Sequence, residues 1–167
     1  MSAGQFNQID PNSKEPQQLI NSSYPSYNYD VIDGLTYKFD LTQPNKYDRK
    51  GKLVNQDVSR VRDLAYQGQP IDLNQTFLVV TNNYRATGNF PGVKDAVEKR
   101  LLNLENRQAI IDYIVSEKTI NPSADGNWSF LPNIANADIR FASSDNARAH
   151  LANQDAISYV GASTQAG

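Results

Sequence analysis

Tyr84 stands at the point where an apolar strand pattern gives way to a loop. The run from Phe77 to Thr81 is aromatic, aliphatic or β-branched, which predicts a buried strand. Two asparagines then interrupt the pattern before Tyr84, and Gly88 ends the stretch. A ring held at the end of a rigid strand can stack on a planar ligand, whereas the plainer alternative is a tyrosine packed in the core.

Residue types suited to hydrolytic or metal chemistry are scarce. The single histidine, His150, lies in a polar stretch, which favours a solvent-exposed side chain over a metal ligand or a base. Asp30 and Asp33 are three positions apart on a predicted strand, so they face opposite sides and cannot hold one ion together. The segment 126–129 lacks the strand–elbow–helix context of a nucleophilic serine. The chain is therefore predicted to contain no catalytic residue and no metal ligand.

Composition narrows the class of protein further. The 167 residues suffice for one domain with its own core, and the absence of cysteine excludes disulfides and thiolate chemistry. A net charge of −2 without a basic cluster argues against binding of a nucleic-acid polymer. No apolar run is long enough to predict a membrane span.

The elements that must position Tyr84 follow from hydrophobic periodicity. Leu35, Tyr37, Phe39 and Leu41 alternate with polar residues, which is typical of a strand with one wet face. The predicted strands are 27–33, 35–41, 58–66, 76–81, 127–131, 137–142 and 157–160. Periodicity alone favours one helix over 93–117, and a short helix is predicted from Ser144 or Asp145 to about 152. The fold class is therefore α+β, with a mixed, mostly antiparallel sheet and flanking helices.

Four stretches resemble one known family, and they occur in the expected order: Ser2–Pro11, Tyr27–Gly34, Thr81–Ala86 and Pro122–Trp128. They are similar to the C-terminal domain of the 5′-nucleotidase family. The nearest branch is that of the bacterial 2′,3′-cyclic-nucleotide 2′-phosphodiesterase/3′-nucleotidases. The resemblance covers most of the chain and implies that domain's fold. In contrast to the periodicity, it implies extended chain before Asn103 and a helix only over about 104–117.

The resemblance also implies a domain organisation. Residues 1–26 would be the end of a truncated helix followed by a polar loop, and residues 27–167 the body of the nucleoside-recognition domain. Members of the family carry a metallophosphoesterase domain before this one, so that domain is expected to be absent from this chain. A helix end cut in this way would expose Phe6 and Ile9, and the expected outcomes are pairing of two chains, a swap of the N-terminal segment, or disorder of residues 1–26.

Ligand-binding residues are implied by the same likeness. In the family the base lies between two aromatic rings. Tyr84 matches one of them, and the other comes before Ser2 in the relatives. The 5′-nucleotidase branch continues its loop with Gly-Gly-Asp, whose Asp holds the ribose, but here 88–92 has no Asp. Asn89 is the substitute candidate for the sugar, and Phe90 is either a rim aromatic or a core residue.

The neighbours of Tyr84 have structural alternatives as well. Asn82 and Asn83 are expected to shape the loop through side-chain to backbone hydrogen bonds rather than to touch the ligand, and Gly88 is a further loop-shaping residue. Arg85 either meets a phosphate or forms a surface ion pair.

The functional expectation is therefore a nucleoside- or nucleotide-recognition domain of a secreted, metal-dependent nucleotide phosphoesterase. Its partners would be nucleotides and the N-terminal metallophosphoesterase domain. The cofactor, a divalent metal pair such as Mn or Zn, would reside in that N-terminal domain and not in this one. The implied location is extracellular, in the cell wall or in the periplasm. The rival is a non-catalytic cell-surface binding or spacer module that keeps the fold without the ligand.

Overall fold

A four-stranded sheet forms the centre of the computed structural model, which describes residues 2–88, 90–153 and 155–162. The strands are β1 (Gln17–Gln18), β2 (Leu35–Phe39), β3 (Val61–Tyr66), β4 (Gln69–Pro70), β5 (Trp128–Phe130) and β6 (Ile139–Arg140). The α-helices are α1 (Asn83–Thr87) and α2 (Asn106–Glu117). Short 3₁₀ helices occur at Ser2–Gln5, Ser26–Asn28, Val93–Asp95, Pro132–Ile134 and Asp145–Asn153.

The sheet is mixed. Its order is β4-β3-β2-β5, with β2 antiparallel to β3, β3 antiparallel to β4, and β5 parallel to β2. A second, smaller sheet pairs β1 with β6 in parallel. The predicted α+β class with a mixed sheet is confirmed. None of the helices in the described ranges is long and apolar enough to cross a bilayer.

The core lies on one face of β2. Tyr37 and Phe39 are buried and Thr36 is exposed, so the alternation read from the sequence is confirmed within β2. It fails beyond Phe39, because Asp40, expected on the wet face, is 6% exposed and Leu41 is 0% exposed. Trp128 on the neighbouring β5 packs against Phe39 with ring centroids 5.5 Å apart. Strand β2 therefore anchors the fold from the centre of the sheet.

The N-terminal segment belongs to this core. Phe6 is 6% exposed and packs edge-on against Phe130 at 5.0 Å, and Ile9 is 1% exposed. The Ile9 amide donates to the carbonyl of Leu41 at 2.9 Å. The expectation that Phe6 and Ile9 form an exposed surface is wrong, because both side chains are buried in the core cluster that also contains Tyr37, Phe39 and Leu41. The expected pairing of two chains was based on that exposed surface and therefore loses its basis.

Arg60, just before β3, ties this segment down. Its Nη1 donates to the carbonyls of Ala3 (2.7 Å) and Phe6 (2.8 Å), and its Nε donates to the carbonyl of Gln43 (2.7 Å). The residue is 4% exposed, and burial lowers the pKa of its guanidinium from the ordinary value. One buried cation thus joins three stretches of backbone.

The predicted central strand at 76–81 is wrong. This stretch forms no strand, and Leu78 is 96% exposed. Only Phe77 packs inward, edge-on against Tyr66 at 5.2 Å. The sheet ends at β4, which is two residues long and includes Pro70, a residue with no N–H to donate. The apolar run therefore meets no ladder that it could extend.

Two further predicted strands are also wrong. Residues 27–33 contain the end of a 3₁₀ helix and the start of a turn at Asp33 and Gly34. Residues 157–160 form no strand and are exposed. The helix expected over 104–117 is confirmed as α2, which begins at Asn106, two residues later than expected, and ends at Glu117. His150 is exposed in the last 3₁₀ helix, as predicted.

Candidate functional site

The loop that carries Tyr84 is a short helix capped by an asparagine. The side-chain Oδ1 of Asn82 accepts from the amide of Arg85 at 2.8 Å, and its carbonyl accepts from Ala86 at 3.0 Å. Asparagine is among the best N-cap residues because its side chain satisfies a free helical amide. The cap starts α1 at Asn83 and thereby places Tyr84 in its first turn. Asn83 is exposed, and its carbonyl accepts from the Thr87 hydroxyl at 2.8 Å.

Tyr84 presents an open ring. The residue is 65% exposed, which does not fit a core tyrosine. The half-buried Phe90 meets it edge-on, with ring centroids 5.9 Å apart and planes inclined by 61°. We call Tyr84 and Phe90 the ring pair. Edge-to-face contact of this kind stabilises the orientation of both rings.

Gly88 permits the ring pair to close. A Cβ at this position would lie 2.7 Å from the Phe90 ring and 2.9 Å from the carbonyl oxygen of Tyr84. Its φ of −79° is ordinary, so glycine is needed here for space and not for a special backbone conformation. Asn89, the candidate sugar ligand, lies outside the described residues.

Arg85 lies behind the ring pair. Its Cζ is 4.3 Å from the centroid of the Phe90 ring and 5.7 Å from that of Tyr84. The residue is only 9% exposed. Of the two alternatives open in the sequence, the ion pair is present; the Arg85 side chain is largely buried, whereas that of Asp30 is 52% exposed.

The partner of Arg85 is the segment Tyr27–Asp30. Arg85 Nε donates to the Asp30 carboxylate at 3.1 Å, Nη1 to Asn28 Oδ1 at 3.0 Å, and Nη2 to the Tyr27 carbonyl at 3.1 Å. Nη2 also lies 3.0 Å from Asp30 Oδ1. The amide of Asp30 in turn donates to the Ser2 hydroxyl at 2.9 Å. Sequence reasoning noticed the Tyr27–Gly34 stretch as a likeness but did not connect it to the Tyr84 loop.

Other acidic residues serve local turns. Asp33 accepts from the amide of Gly34 at 2.8 Å, and Asp40 accepts from Thr42 and Asn133. Burial raises the pKa of Asp40, but the hydrogen bonds from Thr42 and Asn133 outweigh that effect and leave it below the ordinary value. Within the described ranges no three His, Cys, Asp or Glu side chains come together as metal ligands would.

The site is open to solvent and not enclosed. A cleft of about 370 Å³ runs along Val31, Asp125, Asn127 and Trp128, and none of the ring-pair residues lines it. The ring pair is thus a surface feature that offers a face to a flat molecule. Such a face gives stacking on one side and leaves the other side for a second group.

Comparison with known proteins places this loop in a family. The model of the 5′-nucleotidase C-terminal domain matches residues 7–95, which includes the Tyr84 loop. The chain is 48% identical over 169 residues to the trifunctional nucleotide phosphoesterase protein YfkN of Bacillus subtilis (strain 168), covering 100% of this chain and 12% of that protein.

Two further relatives are 2′,3′-cyclic-nucleotide 2′-phosphodiesterase/3′-nucleotidases. The protein of Haemophilus influenzae is 48% identical and that of Salmonella typhimurium 44% identical, each over 156 residues, 89% of this chain and 24% of the relative. The chain therefore spans between 12% and 24% of the length of these curated relatives. No solved structure matches it.

These relatives are nucleotide phosphoesterases by name, and the matching family model spans residues 7–95 of the 167. The chain therefore belongs to the 5′-nucleotidase C-terminal domain family.

Proposed function

We propose that this chain recognises the nucleoside part of a nucleotide within a metal-dependent nucleotide phosphoesterase. The observation that carries the proposal is the exposed Tyr84 ring, held edge-on by Phe90 at the end of a capped helix. The names of the relatives support a nucleotide as the ligand.

Stacking is the interaction that such a ring offers. A base stacked on an aromatic side chain gains roughly 1–3 kcal/mol, and it does so without discrimination because every base has a π-face. The face of Phe90 towards Arg85 is covered by the guanidinium, whereas Tyr84 is largely open. We therefore assign the stacking face to Tyr84, with Phe90 at its rim and Asn89 as a hydrogen-bonding group for the sugar.

Hydrolysis is assigned to another part of the whole protein. In this proposal a metallophosphoesterase domain N-terminal to the matched region holds a divalent metal pair, such as Mn or Zn, and that pair activates the attacking water. The present domain contributes binding energy by fixing the base, so that the phosphate reaches the metals in one orientation. The whole protein would act outside the cytoplasmic membrane, in the periplasm, the cell wall or the medium.

The test compares a substrate with a base and one without. In the full-length protein, Tyr84→Ala should raise KM for adenosine 3′-phosphate about 10- to 100-fold, the loss expected from one stacked base. A nitrophenyl phosphate ester has no nucleobase, so its KM should change little. Tyr84→Phe keeps the ring face and should be close to wild type.

A matched control separates stacking from a general effect of removing an exposed tyrosine. Tyr113 on α2 is 60% exposed, close to the 65% of Tyr84, and lies on a different element. Tyr113→Ala should leave both substrates unchanged. If Tyr84→Ala damages both substrates equally and lowers the melting temperature, Tyr84 is a packing residue. If it changes neither, a binding or spacer module without a nucleotide ligand is the better description.

A further inference from the structure

Three of the five N–H donors of the Arg85 guanidinium are used in hydrogen bonds within the protein. Each of its three guanidinium nitrogens donates to the segment Tyr27–Asp30, over distances of 3.0 to 3.1 Å. The residue is 9% exposed. A guanidinium that is buried and bonded along its edges in this way is poorly placed to receive a phosphate.

The same guanidinium lies over the ring of Phe90. Its Cζ is 4.3 Å from the ring centroid, well inside the range of a cation–π contact. Arginine can bond in its plane and stack on its face at once, whereas the ammonium of lysine is a point charge without a face. The guanidinium thus lies between the segment Tyr27–Asp30, to which it donates, and the Phe90 ring.

The contacts form a sequence that ends at the proposed ligand face. Asp30 holds Arg85, the Arg85 guanidinium lies over Phe90, and Phe90 meets the edge of Tyr84 at 5.9 Å. Arg85 Cζ also lies 5.7 Å from the centroid of the Tyr84 ring. The exposed ring is therefore the last member of a supported stack. A ring that is already fixed loses less conformational entropy when a ligand binds.

We propose that Arg85, held by Asp30, is a positioning residue for nucleoside binding: it sets the plane of Phe90 and, through Phe90, that of Tyr84. This inference rests on the proposed function, and it assigns Arg85 to the base end of the ligand and not to the phosphate. A nucleoside without a phosphate should therefore depend on Arg85 as strongly as the nucleotide does.

The experiment uses Arg85→Lys and Asp30→Asn in the full-length protein. We expect both variants to raise KM for adenosine 3′-phosphate and the inhibition constant of adenosine by the same factor, about three- to tenfold. The kcat and KM for a nitrophenyl phosphate ester should stay at the wild-type values. Asp30→Asn keeps the side-chain shape, so it remains informative if Arg85→Lys folds poorly.

The control removes a comparable ion pair elsewhere. Lys38 and Asp63 pair at 2.9 Å with both side chains partly exposed, so Asp63→Asn should leave all three constants unchanged. A loss confined to adenosine 3′-phosphate would mean that Arg85 contacts phosphate, and this would overturn the inference. An equal loss on the nitrophenyl ester would mean a general structural role, and this would also overturn it.

Tyr84→Ala in the same assays distinguishes the stacking role of Tyr84 from the positioning role of Arg85. If Tyr84→Ala weakens adenosine while folded Arg85→Lys and Asp30→Asn do not, the stacking face stands and the positioning role is wrong. If Tyr84→Ala leaves adenosine unaffected, the proposed function fails and the positioning role fails with it.

Discussion

At the scale of single residues, the packing of the ring pair depends on the absence of a Cβ at Gly88. The Phe90 ring and the Tyr84 carbonyl both approach the position that a Cβ would occupy, to 2.7 and 2.9 Å. The carbonyl belongs to the backbone of α1 and cannot move without disturbing the helix. The Phe90 ring is the part that must give way.

We therefore expect Gly88→Ala to displace Phe90 and to raise KM for a nucleotide about three- to tenfold, because the Tyr84 ring loses its support. The nitrophenyl phosphate ester should be unaffected. The φ of −79° suits alanine, but the 2.9 Å approach of the Tyr84 carbonyl to the new Cβ should lower the melting temperature. Thr87→Ala, at the neighbouring exposed helix end, is the control. A wild-type KM in Gly88→Ala would show that Phe90 does not matter to Tyr84.

The end of the apolar run at Asn82 and Asn83 was predictable, but the strand expected before Tyr84 is absent, Tyr84 lies in the first turn of α1, and the role of Arg85 was not predicted. Asparagine followed by a short polar stretch favours a capped turn whatever surrounds it. The burial of Arg85 depends on Asp30, which is 55 positions away in sequence. Such a partner cannot be read from local spacing, because only the folded chain brings the two segments together.

At the scale of elements, Arg60 and Arg62 show how differently two arginines near the start of one strand behave. Arg60 is 4% exposed. It donates to the carbonyls of Ala3 and Phe6 in the N-terminal segment and to that of Gln43 after β2. The Arg62 side chain is 42% exposed and lies 3.7 Å from Asp40. The first joins two elements, and the second forms a weak, partly solvated ion pair.

Arg60→Ala should lower the free energy of unfolding by about 2–4 kcal/mol, since it removes three hydrogen bonds made by a buried cation. Arg62→Ala should cost no more than about 1 kcal/mol. Urea unfolding of both variants followed by circular dichroism measures the difference. Equal midpoints would mean that the N-terminal segment is held by Phe6 and Ile9 alone.

Strand patterns were a good guide only where a partner strand existed. The alternation of 35–41 gave β2 because β3 and β5 flank it on both sides. The run 76–81 has a stronger apolar signal but follows a two-residue edge strand that contains Pro70. An apolar run favours a strand, but strand formation and burial also require a neighbouring strand with a free edge to pair with.

At the scale of the whole molecule, the aromatic core makes stability sensitive to alkali. Burial raises the pKa of Tyr29 to about 12 from its ordinary 10.0, with the nearby Tyr37 adding to the effect. Burial also raises the pKa of Tyr37 and of Tyr24. The Tyr29 hydroxyl is buried without a hydrogen-bond partner in the part of the chain that the structure describes.

The unfolded chain ionises these tyrosines first, so stability is fully present below about pH 10 and is lost as the pH rises towards 12. We expect the urea midpoint to fall over that window, and less steeply in Tyr29→Phe. At neutral pH, Tyr29→Phe should be neutral or slightly stabilising, since it removes an unpaired hydroxyl. Tyr113→Phe changes an exposed residue and should leave the pH dependence as it is. A Tyr29→Phe curve parallel to wild type would contradict the assignment.

The packing of Phe6 against Phe130 also has a consequence for how the domain is made. A ribosome releases the N-terminal segment first, yet its core partner lies on β5, near the other end of the described chain. At bacterial rates of synthesis, the nascent chain waits roughly ten seconds between the two. During that interval Phe6 can meet Tyr29 and Phe39, whose rings lie 5.8 Å from it in the folded domain, but the β5 side of its surroundings is missing. The aromatic cluster around Phe6 is therefore completed only when the last central strand arrives.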